Sequence, residues 1–284
     1  MLKKNYYITF YLTILVFMAF TFAIINSNIA NAASVGWGWS ETYAEGGFDF
    51  NTWNTEEANS NQTIAESTAN IEGTYDISTG EDGYFSAESY AKTDLTDKNR
   101  YKLHTYGFAN ADAGGGAFSY GYSQTDAGVF DTYTVESGND VTLGFNVRIS
   151  GDLYAEDLGG SAYSSIEFMI GDTQYGGERY NTFQELYSGS HTWNFTYTHE
   201  ISGLSTGSEI PLYFTLLFKV EAEALDWYSE AWSDFLNSAE ITYYVNGGTI
   251  TAASGHTAVP IPPSALLFVS GLVAIMARKF RYHS

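Results

Sequence analysis

From residue 141 onward the chain alternates between apolar and polar positions. Val141, Leu143, Phe145, Val147 and Ile149 are separated by Thr142, Gly144, Asn146, Arg148 and Ser150. Trp193, Phe195 and Tyr197 alternate with Thr192, Asn194 and Thr196. Leu212, Phe214, Leu216, Phe218 and Val220 repeat the pattern, and Ile166, Phe168 and Ile170 do so more briefly. A period of two sends successive side chains to opposite faces, so these runs predict half-buried antiparallel strands. Glycine clusters at Gly114-Gly115-Gly116, Gly159-Gly160 and Gly176-Gly177 separate further strands. Asn246-Gly247-Gly248, between Ile241–Val245 and Thr249–Thr251, predicts a short hairpin. Many short strands with polar turns imply an all-β fold, an antiparallel two-sheet β-sandwich. Jelly-roll-like and immunoglobulin-like topologies both remain open. One stretch departs from the pattern: Leu225, Tyr228, Trp232 and Phe235 recur at spacings of three and four, which reads as a short helix or as an irregular loop anchored by aromatics.

The two ends are of a different kind. Met1-Leu2-Lys3-Lys4 precedes an apolar run from Tyr6 to Ile25, then polar Asn26-Ser27-Asn28 and Ala30-Asn31-Ala32. A basic start, an apolar run and a small-x-small site make a secretory signal peptide over 1–32, read by signal peptidase between Ala32 and Ala33. At the other end Pro260, Pro262 and Pro263 precede an apolar run from Ala265 to Ala277 and then Arg278-Lys279-Phe280-Arg281. Thirteen helical residues reach only about 20 Å against a bilayer core of about 30 Å. With snorkelling basic stems, a helix over 264–280 comes close to spanning, its basic end in the cytoplasm. The intervening 33–257 forms one sandwich ectodomain.

The C-terminal sequence Val259-Pro260-Ile261-Pro262-Pro263, with Ser270-Gly271-Leu272 inside the apolar run and Arg278, Lys279 and Arg281 behind it, resembles the PEP-CTERM sorting signal. Ile261 stands where that signal usually carries Glu, and Phe280 interrupts its basic tail. The resemblance covers 258–284 and implies an exosortase partner and a bacterium with an outer membrane. It also implies transient residence in the inner membrane, then release to the cell surface or an exopolysaccharide matrix. Phe130-Asp131-Thr132-Tyr133-Thr134-Val135, Asp234-Phe235-Leu236-Asn237-Ser238-Ala239 and the Ser/Ala-rich stretch between Tyr84 and Tyr122 are similar to sandwich ectodomains of that family.

Composition narrows the chemistry. The 284 residues carry 12 Lys+Arg against 33 Asp+Glu, a formal charge of -21 that excludes the clustered basic surface nucleic acid needs. Removing both ends takes five basic and no acidic residues, leaving about -26 on the body. With no cysteine, disulfides, thiolate catalysis and zinc ribbons are out. Gly203-Leu204-Ser205-Thr206-Gly207 fits a nucleophile elbow by spacing, but a strand, not a helix, follows it, so it reads as a turn. Ser89 and Lys92 stand three apart on a strand and face opposite sides. His104, His191, His199, His256 and His283 show no zincin spacing. Asp152, Glu156 and Asp157 between Gly151 and Gly159 suit an irregular calcium loop or a solvated acidic one. Glu221 and Glu223 share a strand face, as glycosidase carboxylates can.

No residue stands out as catalytic, as a metal ligand or as a cofactor site. The expectation is an exported, non-enzymatic surface or matrix protein. A carbohydrate-binding module is its rival, with Trp37, Trp39 and Trp53 as a stacking platform, and a polysaccharide-active hydrolase stands third.

Overall fold

The computed structural model describes residues 36–258, apart from 49–50, 77–81, 114–117, 159, 173–176 and 225–227. The signal segment and the sorting tail lie outside these residues. The described part is all-β. Its thirteen strands are β1 Trp37–Phe48, β2 Asn51–Asn61, β3 Ile64–Asp76, β4 Asp82–Asp94, β5 Tyr101–Asp112, β6 Ser119–Ser137, β7 Asn139–Asp157, β8 Gly160–Asp172, β9 Gly177–Leu186, β10 Gly189–Ser205, β11 Glu209–Ala224, β12 Tyr228–Asn246 and β13 Thr249–Ala252.

They form two antiparallel sheets packed as a sandwich. The first runs β2-β1-β6-β11-β8-β9, with β13 paired to the end of β6; the second runs β10-β7-β12-β5-β4-β3. The predicted alternation holds in β7, β8, β10 and β11: Val141, Leu143, Phe145, Ile149, Ile166, Phe168, Trp193, Leu212, Phe214 and Phe218 all point into the core.

Two expectations are corrected. Tyr228 to Phe235 is extended within β12, neither helix nor loop, and pairs with β5 and β7 on either side. Buried Ser229, Ala231 and Ser233 alternate there with half-exposed Tyr228, Glu230, Trp232 and Asp234. The helical spacing of its aromatics is a coincidence laid over a period of two. The Asn246-Gly247-Gly248 turn does not close a hairpin either: β13 leaves β12 and pairs with β6, carrying the chain from one sheet to the other.

The sandwich has unequal halves. Around β7, β8, β11 and the second part of β12, the interlayer is filled by Phe, Leu, Ile, Val and Tyr. Around β1, β3, β4, β5 and the first part of β6, it holds Ser40, Ala44, Ala69, Ala87, Ser89, Ala91, Gly107, Ala109 and Ser123. There Cα atoms of β1 and β6 come within 8 Å of β3, β4 and β5, closer than the roughly 10 Å of ordinary stacked sheets. At Gly121 main chain faces main chain, since a Cβ on it would lie 2.6 Å from the carbonyl oxygen of Ser86. Hydroxyls replace grease across this gap. Thr93 Oγ1 donates to the carbonyls of Trp39 (2.7 Å) and Gly128 (3.0 Å), Ser89 to that of Tyr43 (2.6 Å), and Ser119 to that of Tyr84 (2.8 Å).

Candidate functional site

Where β5 and the first part of β12 turn small residues inward, large side chains occupy the outer face of the sheet, and β7 adds Tyr154 to that face. On β5, buried Gly107 and Ala109 flank half-exposed Phe108; on β7, buried Leu153 and Ala155 flank Tyr154; on β12, Ala231 and Ser233 flank Trp232. Register then aligns them. Trp232 sits opposite Tyr154 on one side and Phe108 on the other. The Tyr154 and Trp232 rings stack, with centroids 5.4 Å apart and planes at 16°. Three neighbouring strands thus carry an aromatic strip about 10 Å across, at roughly 4.8 Å per strand. One register level along, Asp234 faces Tyr106 and Tyr106 faces Tyr90.

Carboxylates border the strip. Glu156 and Glu230 face each other on β7 and β12, Asp152 pairs with Asp234, and Glu88 stands beyond Phe108. Tyr154 Oη donates to Glu156 (2.6 Å), Tyr228 Oη donates to Glu230, and Asn110 Nδ2 donates to Tyr228 Oη (3.3 Å). The bond to Glu156 pushes the Tyr154 phenol up to about 12. Burial raises Tyr106, with Glu88, Asp234 and Glu230 adding to it. These phenols therefore stay protonated and remain donors at any ordinary pH. Flat rings with a border of acceptors can stack on a sugar face and take hydrogen bonds from its hydroxyls.

The outer face of the first sheet is built differently. Trp39 lies over Gly128, where a Cβ would meet its ring at 2.0 Å, and Trp37 packs on Trp39 and Phe130. Both tryptophans are buried, at 9% and 4% exposure, so they form no platform; Trp53 is 44% exposed but stacks on Phe85. Glu45, Tyr122, Glu221 and Tyr163 fall in one cross-strand row. Tyr43 and Tyr120 both donate to Glu45, and Tyr163 donates to Glu185. Burial, then neighbouring Glu223, hold the Glu221 carboxyl well above the usual range, and burial raises Asp126 to about 6 despite its bond from Thr215. The groups on this face are largely partnered with one another.

The remaining sequence candidates fall apart as sites. Asp152 and Glu156 lie on the outer face of β7 rather than in a loop. Ser205 ends β10 ahead of a turn, with Gly203 and Gly207 at φ 77° and 86°. Ser89 is buried and Lys92 faces the other way. His256 is inside the fold, 4.2 Å from the Tyr101 ring, and burial beside Lys98 lowers it to about 4. His191 and His199 lie within β10. Among the described residues no group of His, Asp and Glu has the geometry to hold a metal ion, and no helix is long and apolar enough to cross a membrane. Ala30, Ala32, Ala33 and the tail from Val259 through Arg281 lie outside the described residues.

No family model and no curated protein matches the chain. Among solved structures, TmCBM61 in complex with β-1,4-galactotriose is similar at 12% identity, over 64% of this chain and 88% of its own, with a TM-score of 0.17. The family 11 carbohydrate-binding module from Clostridium thermocellum, bound to a β-1,3-1,4-mixed-linked tetrasaccharide, shares 9% identity over 63% and 88%, at 0.18. An infectious bursal disease virus structure (Gx strain) shares 6% over 86% and 74%, at 0.19. At such scores these likenesses decide nothing about this chain.

Proposed function

We propose that this is an exported glycan-binding protein of the cell surface or extracellular matrix, and that the outer face of its second sheet holds neutral polysaccharide. The observation that carries this reading is the strip of Tyr154, Trp232 and Phe108, half-exposed and in register on three adjacent strands. A soluble protein that turns Trp, Tyr and Phe outward in one line has placed contact area where only a partner can use it. The bordering carboxylates favour hydroxyl-rich neutral sugars and repel uronates and phosphates. Binding here needs no bond to be broken.

Export by the N-terminal signal and sorting of the C-terminal tail by an exosortase would bring this surface to a polysaccharide-rich environment. The mass of the mature protein, with and without the host exosortase, tests that half of the proposal: loss of the residues after about Pro263 should require the enzyme.

The binding half is tested by retention on immobilised neutral polysaccharides. Trp232→Ala should weaken binding at least about tenfold, as expected for an aromatic hot spot, and Phe108→Ala should also weaken it. Trp53→Ala should leave retention unchanged. Equal retention by wild type and Trp232→Ala would refute the strip. Turnover of a glycan, lost in Glu221→Gln, would replace binding by hydrolysis on the opposite face.

A further inference from the structure

The two open sides of the sandwich are treated differently. On one side β2 reaches across to the edge of β3: Glu57 Oε2 accepts from the Thr68 amide (2.8 Å), and Asn59 Nδ2 donates to the Glu66 carbonyl (3.2 Å). That edge is capped by side chains. On the other side lies β10, which pairs only with β7 among the described residues. Its ladder to β7 runs without a register shift from Gly189 to Ile201. That is thirteen residues, spanning about 40 Å.

An edge of this length is normally blunted by lysine, proline, a bulge or an inward charge. From Gly189 to Ile201 there is no Lys, Arg or Pro, and Glu200 is the one carboxylate. The sequence there is also nearly palindromic. His191-Thr192-Trp193-Asn194-Phe195-Thr196-Tyr197-Thr198-His199 reads His, Thr, aromatic, polar, Phe, polar, aromatic, Thr, His in either direction. Phe195 is the centre of the palindrome and of the uninterrupted ladder.

We infer that two copies of this chain pair through β10, antiparallel and about a twofold axis at Phe195, joining their second sheets into one twelve-stranded sheet. The axis sets Asn194 against Thr196, Trp193 against Tyr197, Thr192 against Thr198 and His191 against His199. Like meets like at every step, as an isologous contact requires. Aromatic and Thr–Thr cross-strand pairs are among the favourable ones. The ladder of rings Trp193, Phe195 and Tyr197 (centroids 5.5 and 6.1 Å apart) would continue into that of the partner copy.

Charge fits this occupant. Bodies of about -26 repel each other over most of their surface, but across this axis Glu200 meets Ser190, so no carboxylate faces another. The area fits a weak contact. A strip of about 40 Å by 10 Å buries roughly 800 Å² in total, below the range of stable interfaces. A weak, concentration-dependent dimer is expected, enough to matter where many copies sit on one surface.

The absence of cysteine makes the register directly testable. Full-length N194C and T196C chains, purified in detergent, are mixed at about 200 µM and oxidised. Register mates lie about 5 Å apart, within disulfide reach. Residue 194 and its own copy lie about 8 Å apart, beyond it. The mixture should therefore give a disulfide-linked heterodimer, and either variant alone should give little. Equal cross-linking by each variant alone, or none in the mixture, overturns the proposal. N194K/T196K, which crowds four like charges around the axis, should sediment as a monomer at concentrations where the wild type dimerises. A double variant that still dimerises places the contact elsewhere and also overturns it. Glycan retention does not depend on these residues, so either proposal can fail alone.

Discussion

The two halves of this sandwich solve one problem by opposite means. In the bulky half, Phe145, Phe168, Phe214 and Phe218 are fully buried and fill the space between the sheets. Stability there comes from apolar area removed from water. In the small-residue half little apolar area is available, because Ala, Ser, Thr and Gly line both sheets. The sheets instead approach until hydroxyls of one reach backbone carbonyls of the other. Alternation leaves Trp232 and Phe108 outside, beside Tyr154 of β7, on the outer face of the second sheet.

The largest effect should follow from emptying the thick half. Phe214 is fully buried between Tyr101 (6.0 Å) and Phe145 (5.1 Å). Phe214→Ala should cost about 3–5 kcal/mol, seen as a lower urea midpoint. A loss below about 1 kcal/mol would mean the halves are not packed differently. The converse change belongs to the thin half. Gly121→Ala places a methyl 2.6 and 2.9 Å from the carbonyl oxygens of Ser86 and Asn110, which are main chain and cannot swing aside. It should cost about 1–3 kcal/mol by overpacking. A neutral result would show that the sheets can part without loss.

Legibility in the sequence follows the same division. Where the interior is Val, Leu, Ile and Phe, alternation of apolar and polar residues reports the strand, its register parity and its buried face together. β7 and β11 were readable for that reason. Where the interior is Ala and Ser, the same period of two is present with its sign inverted: in Ser229-Glu230-Ala231-Trp232-Ser233 the small residues are inside. The spacing of the aromatics makes Leu225 to Phe235 read as a short helix or an irregular loop, which hides the outward Trp232 and its neighbours Tyr154 and Phe108. The small-residue alternation of Ala87, Ser89 and Ala91 and of Gly107, Ala109 and Ala111 was the signal that could have found them. Alignment of the strip across β7, β12 and β5 is a matter of pairing order, which no local pattern carries. β12 also holds two extra residues between Phe235 and Ala239 relative to β5, where Thr105 and Leu103 are the partners. That even number preserves which face points inward.

The third test separates titrating from non-titrating polar groups. Asp126 and Asp131 both lie on β6, and burial raises both, Asp126 to about 6. Asp131 is held by Tyr101 (2.6 Å) and by Ser254 and Thr132. A carboxyl raised in the folded state binds its proton more tightly there than in the unfolded chain. Stability should therefore fall as pH rises from about 4 through 6, by less than about 1.4 kcal/mol per pH unit for each group. Asp126→Asn should flatten that slope in thermal melts taken across this range. Substitutions among the hydroxyls of the thin half should leave the slope as it is. A change of slope on losing a serine would tie the two systems together.

The smallest effect expected is Ser89→Ala, and its size follows from counting protons. Three short contacts run through two hydroxyls: Ser89 to the Tyr43 carbonyl (2.6 Å), Ser123 to the Glu88 carbonyl (2.8 Å), and Ser89 to Ser123 (2.7 Å). Two hydrogens cannot serve three bonds at once, so one contact is always an oxygen pair without a proton between them. Removing Ser89 deletes one bond to a carbonyl and also that strained pair, while Ser123 keeps its proton on Glu88. The Tyr43 carbonyl retains its place in the strand ladder with β2 and β6. The net loss should be about 1 kcal/mol, that of a single neutral hydrogen bond. For a chain of this size it should appear as about 2–4 °C in Tm. Ser89→Val removes the same bond but adds bulk where the sheets nearly touch, and should cost more than alanine. If alanine instead raises Tm, or valine matches it, the interlayer is held by contact alone and the hydroxyls contribute nothing to closing it.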